Sequence, residues 1–201
     1  MELQSPARKF VVGLGNPGRR YAQTRHNVGF KVVETFAQRW QLGDARRAFE
    51  GEVADGRIGR EGREVAAVVL EPRTYMNRSG RSVRSLLQFY KADPRDMLVV
   101  YDDLALELGM LRARASGSAG GHNGMADVLR NVDTNEVPRL RVGIGAPPGR
   151  MDPKDYVLSK FGSDELEAIN VAIVQAADAV EDWLFCGIRH VMDTYNARQP
   201  G

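Results

Sequence analysis

The sequence has little cysteine, little lysine and no long hydrophobic run. Its single thiol, Cys186, cannot form an internal disulfide, and its amino-terminal residues lack the apolar stretch of a signal peptide. No segment approaches the roughly 20 consecutive apolar residues that a membrane-spanning helix needs. We therefore expect a cytoplasmic protein without a membrane contact, in which Cys186 serves as a small residue of the core.

The basic residues are strongly biased towards arginine: 23 are Arg and 5 are Lys, although the formal net charge is only +2. Arginine makes fork-like contacts with phosphates, so the bias is compatible with an RNA partner, but a GC-rich genome would produce it as well. The chain has 201 residues, of which 43% are hydrophobic and 27% charged, and it contains no repeat or Pro/Ser-rich linker. We expect a single domain over residues 1–201.

Hydrophobic patterning predicts alternating strands and helices. Buried strands are predicted at residues 10–14, 65–70, 97–101 and 140–144, and an antiparallel strand at 51–58. Helical spacing is found at residues 28–40, 79–90, 124–132 and 163–184. This alternation is typical of an α/β fold, and we predict one domain with a twisted, mostly parallel mixed sheet flanked by helices.

Polar residues follow the predicted strands where each strand ends. Asn16 follows the first strand, Asn77 comes shortly after the second, Asp102 closes the third, and a glycine-containing loop at 145–149 follows the fourth. Ligands of open α/β sheets bind outside the carboxyl ends of the strands. These distant segments are therefore expected to converge on one site.

The glycines at positions 13, 15 and 18 satisfy the G-x-G-x-x-G pattern of a dinucleotide site. That site requires a helix directly after the glycines and an acidic residue about 20 positions further on. Here Pro17-Gly18 begins a turn, helical spacing resumes only near Val28, and residues 36–40 contain no acid. A nicotinamide-dependent oxidoreductase is thus disfavoured, and a tight turn that presents Asn16 is the preferred interpretation.

Serine, cysteine and zinc chemistry are also disfavoured, because the chain lacks a G-x-S-x-G elbow and has no H-x-x-x-H or C-x-x-C spacing. If hydrolysis occurs, a side chain must activate water. His26 is the candidate base, because an imidazole titrates near pH 6.5 and Asp102 could hold its second nitrogen. The amides of Asn16 and Asn77 could stabilise an oxyanion.

A second cluster is Gly120-Gly121-His122-Asn123-Gly124. It is either a glycine-rich entry to a helix capped by Asn123, or a segment that lets the backbone approach a ligand closely. Just before it, Arg112 and Arg114 alternate with apolar residues, so both guanidinium groups leave one face of a strand and could grip phosphates.

Five short motifs occur in order between about residues 10 and 160. They are Gly15-Asn16-Pro17-Gly18 with Tyr21 and Arg25-His26-Asn27-Val28-Gly29; Glu71-Pro72-Arg73-Thr74-Tyr75-Met76-Asn77-Arg78-Ser79-Gly80; Asp102-Asp103-Leu104; Gly117-Ser118-Ala119-Gly120-Gly121-His122-Asn123-Gly124; and Arg141-Val142-Gly143-Ile144-Gly145. Together they resemble the signature of bacterial peptidyl-tRNA hydrolases.

The resemblance implies hydrolysis of the ester between a peptide and the 3′ ribose of tRNA, with peptidyl-tRNA bound through its acceptor stem and 3′ end. His26 would be the general base, oriented by Asp102, while Asn16 and Asn77 would position the ester carbonyl and the water. The further substrate contacts implied are Tyr21, Tyr75, Met76, Asn123 and, at the 5′ phosphate, Arg112, Arg114 and Arg141. The family also implies a monomer that uses neither metal nor cofactor.

Two positions depart from the family pattern. Ala105 stands where a second acidic residue is expected, and Leu108 stands near an expected Pro. These differences put the shape of the loop after Asp102 in doubt, but not Asp102 itself. The alternative function is a catalytically silent RNA-binding protein of the same fold, which would bind RNA without cleaving an ester.

Overall fold

The computed structural model describes residues 8–196. The strands of the sheet are β1 (Arg8–Gly13), β2 (Arg46–Ala48), β3 (Gly51–Arg60), β4 (Arg63–Pro72), β5 (Met97–Asp103), β6 (Leu111–Arg114) and β7 (Arg139–Gly143). The helices are α1 (Val28–Arg39), α2 (Ser79–Tyr90), α3 (Asn123–Val132), α4 (Pro153–Val157) and α5 (Leu166–Tyr195). Short 3-10 turns at Arg25–Asn27 and Met76–Arg78 lead into α1 and α2.

All seven strands belong to one sheet with the order β2-β3-β4-β1-β5-β7-β6. The four central strands, β4, β1, β5 and β7, are mutually parallel, whereas β2, β3 and β6 are antiparallel additions at the two edges. The central strands are buried on both faces, which is why they appear in the sequence as almost continuous apolar runs. The predicted mixed, mostly parallel α/β sheet is confirmed.

Helices cover both faces of this sheet. One face packs against α1 and α5, which contribute Phe36, Trp183 and Val191 to the core. The other face packs against α2 and α3, which contribute Leu86 and Met125. The right-handed crossover of parallel strands explains why successive helices follow the strands in this way.

Two glycines bring α1 unusually close to the sheet. A Cβ atom at Gly29 would come within 2.4 Å of the Val100 carbonyl oxygen, and one at Gly13 would come within 2.5 Å of the Gly29 carbonyl oxygen. Side chains at these positions would push the start of α1 away from β1 and β5. The glycines therefore place the turn that carries His26 directly above the strand ends.

The carboxyl-terminal helix differs from its prediction in extent and in shape. We expected it to end at residue 184, but α5 continues to Tyr195 across a kink at Gly187, where φ is 82°. The kink redirects the last turns so that Val191 and Tyr195 are buried. Cys186 lies beside the kink and is exposed, so the expectation that it fills the core is wrong.

Two further elements, β2 and α4, were not predicted from the sequence. Strand β2 and helix α4 are both too short to show a clear hydrophobic period. Beyond α5, Asn196 exchanges two hydrogen bonds with the backbone of Ala113, at 2.7 and 3.1 Å, and so covers part of edge strand β6. Within residues 8–196, no helix is both long enough and apolar enough to cross a membrane.

Candidate active site

The predicted convergence of polar residues occurs at the carboxyl ends of the central strands. His26 lies in the 3-10 turn before α1, and Asp102 is the second-to-last residue of strand β5. The two are 76 positions apart, yet His26 Nδ1 is 2.8 Å from Asp102 Oδ1 and 2.9 Å from Oδ2. The predicted base and its predicted partner are thus directly hydrogen-bonded.

Asp102 is also hydrogen-bonded to a second imidazole. His122 Nε2 lies 3.0 Å from Asp102 Oδ1. Burial by itself would raise the pKa of the Asp102 carboxyl, but the two histidines outweigh that effect and hold the pKa well below its usual range. Asp102 is therefore an ionised carboxylate although only 2% of it is exposed.

His26 faces a cavity of about 560 Å³ on the opposite side from Asp102. Because Nδ1 is turned towards the carboxylate, Nε2 is the ring nitrogen available to the cavity. The cavity lining consists of Asn16, His26, Tyr75, Met76, Asn77, Arg78, Asn123, Lys154, Val157 and Leu158. The structure therefore brings together His26 and five of the other residues predicted from sequence, and α4 supplies a wall that the sequence did not reveal.

The amide of Asn16 is oriented by the backbone around it. Its Oδ1 accepts a hydrogen bond of 2.9 Å from the Met76 amide, so its Nδ2 donors must point elsewhere. Asn27 fixes the Asn16 backbone through two bonds of 2.9 Å, one in each direction. Within residues 8–196 the Nδ2 group of Asn16 has no hydrogen-bond partner, so it is free to donate into the cavity.

Asn123 does not cap α3, contrary to the sequence prediction. The cap is His122, whose Nδ1 accepts from the Met125 amide at 3.1 Å, and Asn123 is the exposed first residue of the helix. A Cβ atom at Gly124 would lie 2.4 Å from the Met76 sulfur, so glycine allows α3 to start against the cavity floor. Asn123 consequently reaches the cavity from the helix terminus.

Tyr21 is not part of this arrangement. Tyr21 lines neither the cavity that His26 faces nor the cavity of about 1560 Å³ beside it, and its ring lies against the Arg20 guanidinium at 4.5 Å. Its neighbours Gly18 and Ala22 do line the larger cavity. The tyrosine contributes to the loop that frames the cleft through its carbonyl, which accepts from Thr24.

The dinucleotide pattern has the structure expected of a turn. Gly18 adopts φ 103°, and a 3-10 turn separates it from α1, which begins only at Val28. A Cβ atom at Gly15 would come within 2.8 Å of the Phe30 ring. The segment thus serves close packing against the start of α1 and the presentation of Asn16.

Arg25, beside His26, connects the site to the segment between α4 and α5. Its guanidinium donates to both carboxylate oxygens of Glu165, at 2.9 and 2.6 Å, and lies 4.2 Å from the centre of the Tyr156 ring. This bidentate pair is 7% exposed on the arginine side. It ties the wall formed by α4 to the turn that carries His26.

A larger cavity of about 1560 Å³ adjoins the first at Asn16 and Tyr75. Glu34, Glu52 and Arg73 line this cavity, and Glu71 lines a neighbouring cavity of about 290 Å³ together with the same two glutamates. The Arg73 guanidinium forms ion pairs with Glu52 and Glu71. Burial raises the pKa of Glu71 to about 7, the nearby Glu34 adds to the increase, and Arg73 opposes it. Burial likewise raises the pKa of Glu34.

The raised pKa of Glu71 predicts a pH-dependent stability. Between its ordinary value of 4.5 and its folded value of about 7, the folded protein keeps a proton that the unfolded chain releases. The free energy of unfolding should therefore fall as the pH rises through this window, by up to about 3 kcal/mol from this group. Denaturant unfolding of Glu71→Gln should show a smaller loss, with the exposed Glu61→Gln as control; equal pH dependence in all three proteins would contradict this.

The predicted arginines form a separate surface on β6 and β7. Arg112 and Arg114 are exposed, and Arg112 pairs across the strands with Arg141, whose Nε donates to Asp103. Arg114 and Arg141 line a pocket of about 210 Å³ together with the loop at 116–120. Arg112 shares their face of the sheet but does not line the pocket.

The loop after Asp102 is shaped by Asp103 rather than by the missing acid. Asp103 Oδ1 accepts from the Ala105 amide at 2.8 Å, which forms a tight Asx turn, while its other oxygen accepts from Arg141. The turn therefore needs no carboxylate at Ala105. A single aspartate both closes the loop and holds the arginine.

Three contributors to these surfaces carry no role predicted from the sequence. Two of them are His122, in the glycine-rich segment, and Asn27, beside His26. Arg139 is 1% exposed and donates to the carbonyls of Gly117 and Ser118, which fixes the loop of the small pocket. The alternation of Arg139 with Arg141 was the available signal, because it places both on one face of β7.

Among residues 8–196, one group of metal-ligating side chains has its ligand atoms within 4.8 Å of one another: His26, Asp102 and His122. A metal would need a free lone pair on His122 Nε2. That nitrogen carries the proton, because Nδ1 accepts the Met125 amide. The group is thus better suited to hydrogen bonding than to metal coordination.

Comparison with known proteins identifies the family of this chain. The sequence profile of the peptidyl-tRNA hydrolase family matches residues 10–201. The peptidyl-tRNA hydrolase of Rhodopirellula baltica is 48% identical over 94% of this chain and 97% of its own, and that of Chloroflexus aggregans is 50% identical over 92% and 97%. The crystal structure of peptidyl-tRNA hydrolase from Acinetobacter baumannii superposes with a TM-score of 0.86 at 36% identity, over 96% of both chains. By sequence and by fold, this chain belongs to the peptidyl-tRNA hydrolase family.

Proposed function

We propose that this protein hydrolyses the ester bond between a peptide and the 3′ ribose of tRNA, with His26 as the general base. The observation that carries the proposal is the His26–Asp102 pair beside a cavity lined by asparagine amides, in a chain of this family. The pair leaves one imidazole nitrogen facing the cavity, which is the geometry that general-base activation of water requires.

The reaction assigned to the site proceeds by addition and elimination. His26 Nε2 takes a proton from water as the water oxygen bonds to the ester carbonyl carbon, and Asp102 stabilises the imidazolium that forms. The ester C–O bond then breaks, and the proton passes from His26 to the departing ribose oxygen. The products are tRNA with a free 3′ hydroxyl and a peptide carboxylic acid, which releases its proton to solvent to become the carboxylate.

The asparagines would serve the carbonyl and the water. The Nδ2 group of Asn16 is oriented before substrate binds, because the Met76 amide occupies its oxygen. A donor held in this way stabilises the developing oxyanion without reorganisation. Asn77 and Asn123 flank the same cavity, where they would position the water and the substrate end.

The arginine surface is the proposed contact for the tRNA phosphate. Arg114 and Arg141 line the small pocket, and Arg112 extends the positive surface along β6. Each phosphate neutralised contributes about −0.7 to −0.9 to the slope of log K against log salt concentration.

Replacing Arg114 and Arg141 together by alanine should therefore weaken tRNA binding and flatten its salt dependence, by about 1 to 2 in slope. Filter binding at several salt concentrations measures both quantities. The double variant Arg46→Ala, Arg57→Ala, which removes two exposed arginines from β2 and β3 on the opposite side of the sheet, is the charge-matched control. Hydrolysis of a minimal ester substrate should be unaffected, and an unchanged slope would place the tRNA contact elsewhere.

The direct test is release of peptide from an N-acylated aminoacyl-tRNA by the purified protein in the presence of EDTA. We expect turnover that the chelator does not reduce, because the proposed chemistry uses side chains alone. Binding of the tRNA without release would support the alternative, a silent RNA-binding protein of this fold. Loss of activity on chelation would contradict the metal-independent mechanism.

A further inference from the structure

We propose that His122 is a positioning residue for hydrolysis, which fixes the Asp102 carboxylate and moderates its attraction for the His26 proton. The inference rests on the proposed function of the His26 site. It assigns to His122 an effect on the reaction that acts through Asp102 and involves no contact with substrate.

His122 connects two elements of the fold, α3 and β5, through its two ring nitrogen atoms. Nδ1 accepts from the Met125 amide in the first turn of α3 at 3.1 Å, and Nε2 lies 3.0 Å from Asp102 Oδ1 on β5. Its ring centre is 5.0 Å from that of His26 and 4.6 Å from that of Tyr101. The side chain is 8% exposed.

These contacts select one tautomer. A backbone N–H can only donate, so the Nδ1 that receives it must carry a lone pair. In a neutral ring the proton then resides on Nε2, which donates to Asp102. The start of helix α3 thereby determines that His122 is a hydrogen-bond donor to the carboxylate.

The donor has two consequences for Asp102. It holds Oδ1 in place, so the carboxylate cannot rotate about its Cβ–Cγ bond without breaking a buried hydrogen bond. It also takes up part of the negative charge that would otherwise bind the His26 Nδ1 proton. Both effects favour a His26 that is aligned and unprotonated at Nε2 when water is bound.

The other groups around His122 do not provide a substitute donor. His122 contacts Tyr101 and Asp102 of β5, and it contacts His26 in the turn before α1. The charged neighbours of Tyr101 are Arg139, Arg141 and Asp103. Arg139 donates to backbone carbonyls and Arg141 donates to Asp103, rather than to Asp102. Within residues 8–196, Asp102 receives hydrogen bonds from the two imidazoles alone.

Two substitutions separate the donor role from the capping role. In His122→Asn the amide oxygen takes the place of Nδ1, so the cap of α3 remains and the donor to Asp102 is lost. In His122→Gln the amide nitrogen reaches the place of Nε2, so the donor remains and the cap is lost. The pair therefore removes one hydrogen bond at a time.

We expect His122→Asn to lower kcat about tenfold with KM within about twofold, since the lost interaction acts on the reacting groups rather than on binding. The acid limb of its kcat/KM profile should move up by about 0.5 to 1 pH unit, because Asp102 now holds the His26 proton more strongly. In His122→Gln the acid limb of the pH profile of kcat/KM should stay at its wild-type position and most of kcat should remain. Its Tm should fall by about 2 to 4 °C, because the helix cap is lost.

Failure of this inference is distinguishable from failure of the proposed function. An inactive wild-type protein would overturn the function, and the inference with it. An active wild type whose acid limb stays in place in His122→Asn would overturn the inference alone. Equal losses of kcat in both variants, in proportion to their losses of Tm, would reduce His122 to a helix cap and would also overturn it.

Discussion

Replacing His26 by alanine should lower the rate of peptide release by at least about 10²-fold, the usual contribution of a general base. The loss should be in kcat, with KM little changed, because in the proposed mechanism His26 acts on water and not on the bound tRNA. Steady-state hydrolysis of an N-acylated aminoacyl-tRNA measures both constants. An undiminished rate would contradict the assignment of His26 as the base.

The alanine variant also removes a partner from a buried carboxylate, so a matched variant is needed. In His26→Asn the side-chain nitrogen takes the position of Nδ1 and can still donate to Asp102, but no base faces the cavity. We expect this variant to be as inactive as His26→Ala while its Tm stays closer to that of the wild type. Recovery of activity in His26→Asn would show that the alanine effect was one of stability.

Replacing Asp102 by asparagine should lower kcat by roughly 10² to 10⁴-fold, because it reverses the tautomer of the base. His122 Nε2 is a fixed donor towards Oδ1, so the oxygen of the new amide should turn to it. The amide nitrogen then occupies the position of Oδ2, which is 2.9 Å from His26 Nδ1. It would donate to Nδ1 and leave the proton on Nε2, where the base must be free.

Removing the fixed donor of His122 should partly reverse the effect of Asp102→Asn. In the double variant Asp102→Asn, His122→Asn, the fixed donor is absent and the amide can adopt either orientation. Its kcat should exceed that of Asp102→Asn, although His122→Asn alone lowers the rate. A double variant no faster than Asp102→Asn would indicate that lost charge, and not the tautomer, dominates the effect.

The central strands and most helices could be predicted because their signals are local. Apolar runs defined β1, β4, β5 and β7, and spacing defined α1 and α2 to within one residue. The extent of α5 could not be predicted in the same way. The helical spacing of its apolar residues is interrupted near Gly187. The last turns are stabilised as a helix because Val191 and Tyr195 are buried in the core.

The sequence by itself determined the order of the elements, the edge of the sheet at which the polar residues meet, and the choice of His26 and Asp102 as the candidate base and its carboxylate partner. Only the tertiary structure decided how these groups are oriented. The Met76 amide turns Asn16, the Met125 amide selects the tautomer of His122, and His122 completes the contacts of Asp102. The reason is physical: periodicity records which face of an element is buried, whereas the direction of a hydrogen bond depends on which atom a distant segment presents to it.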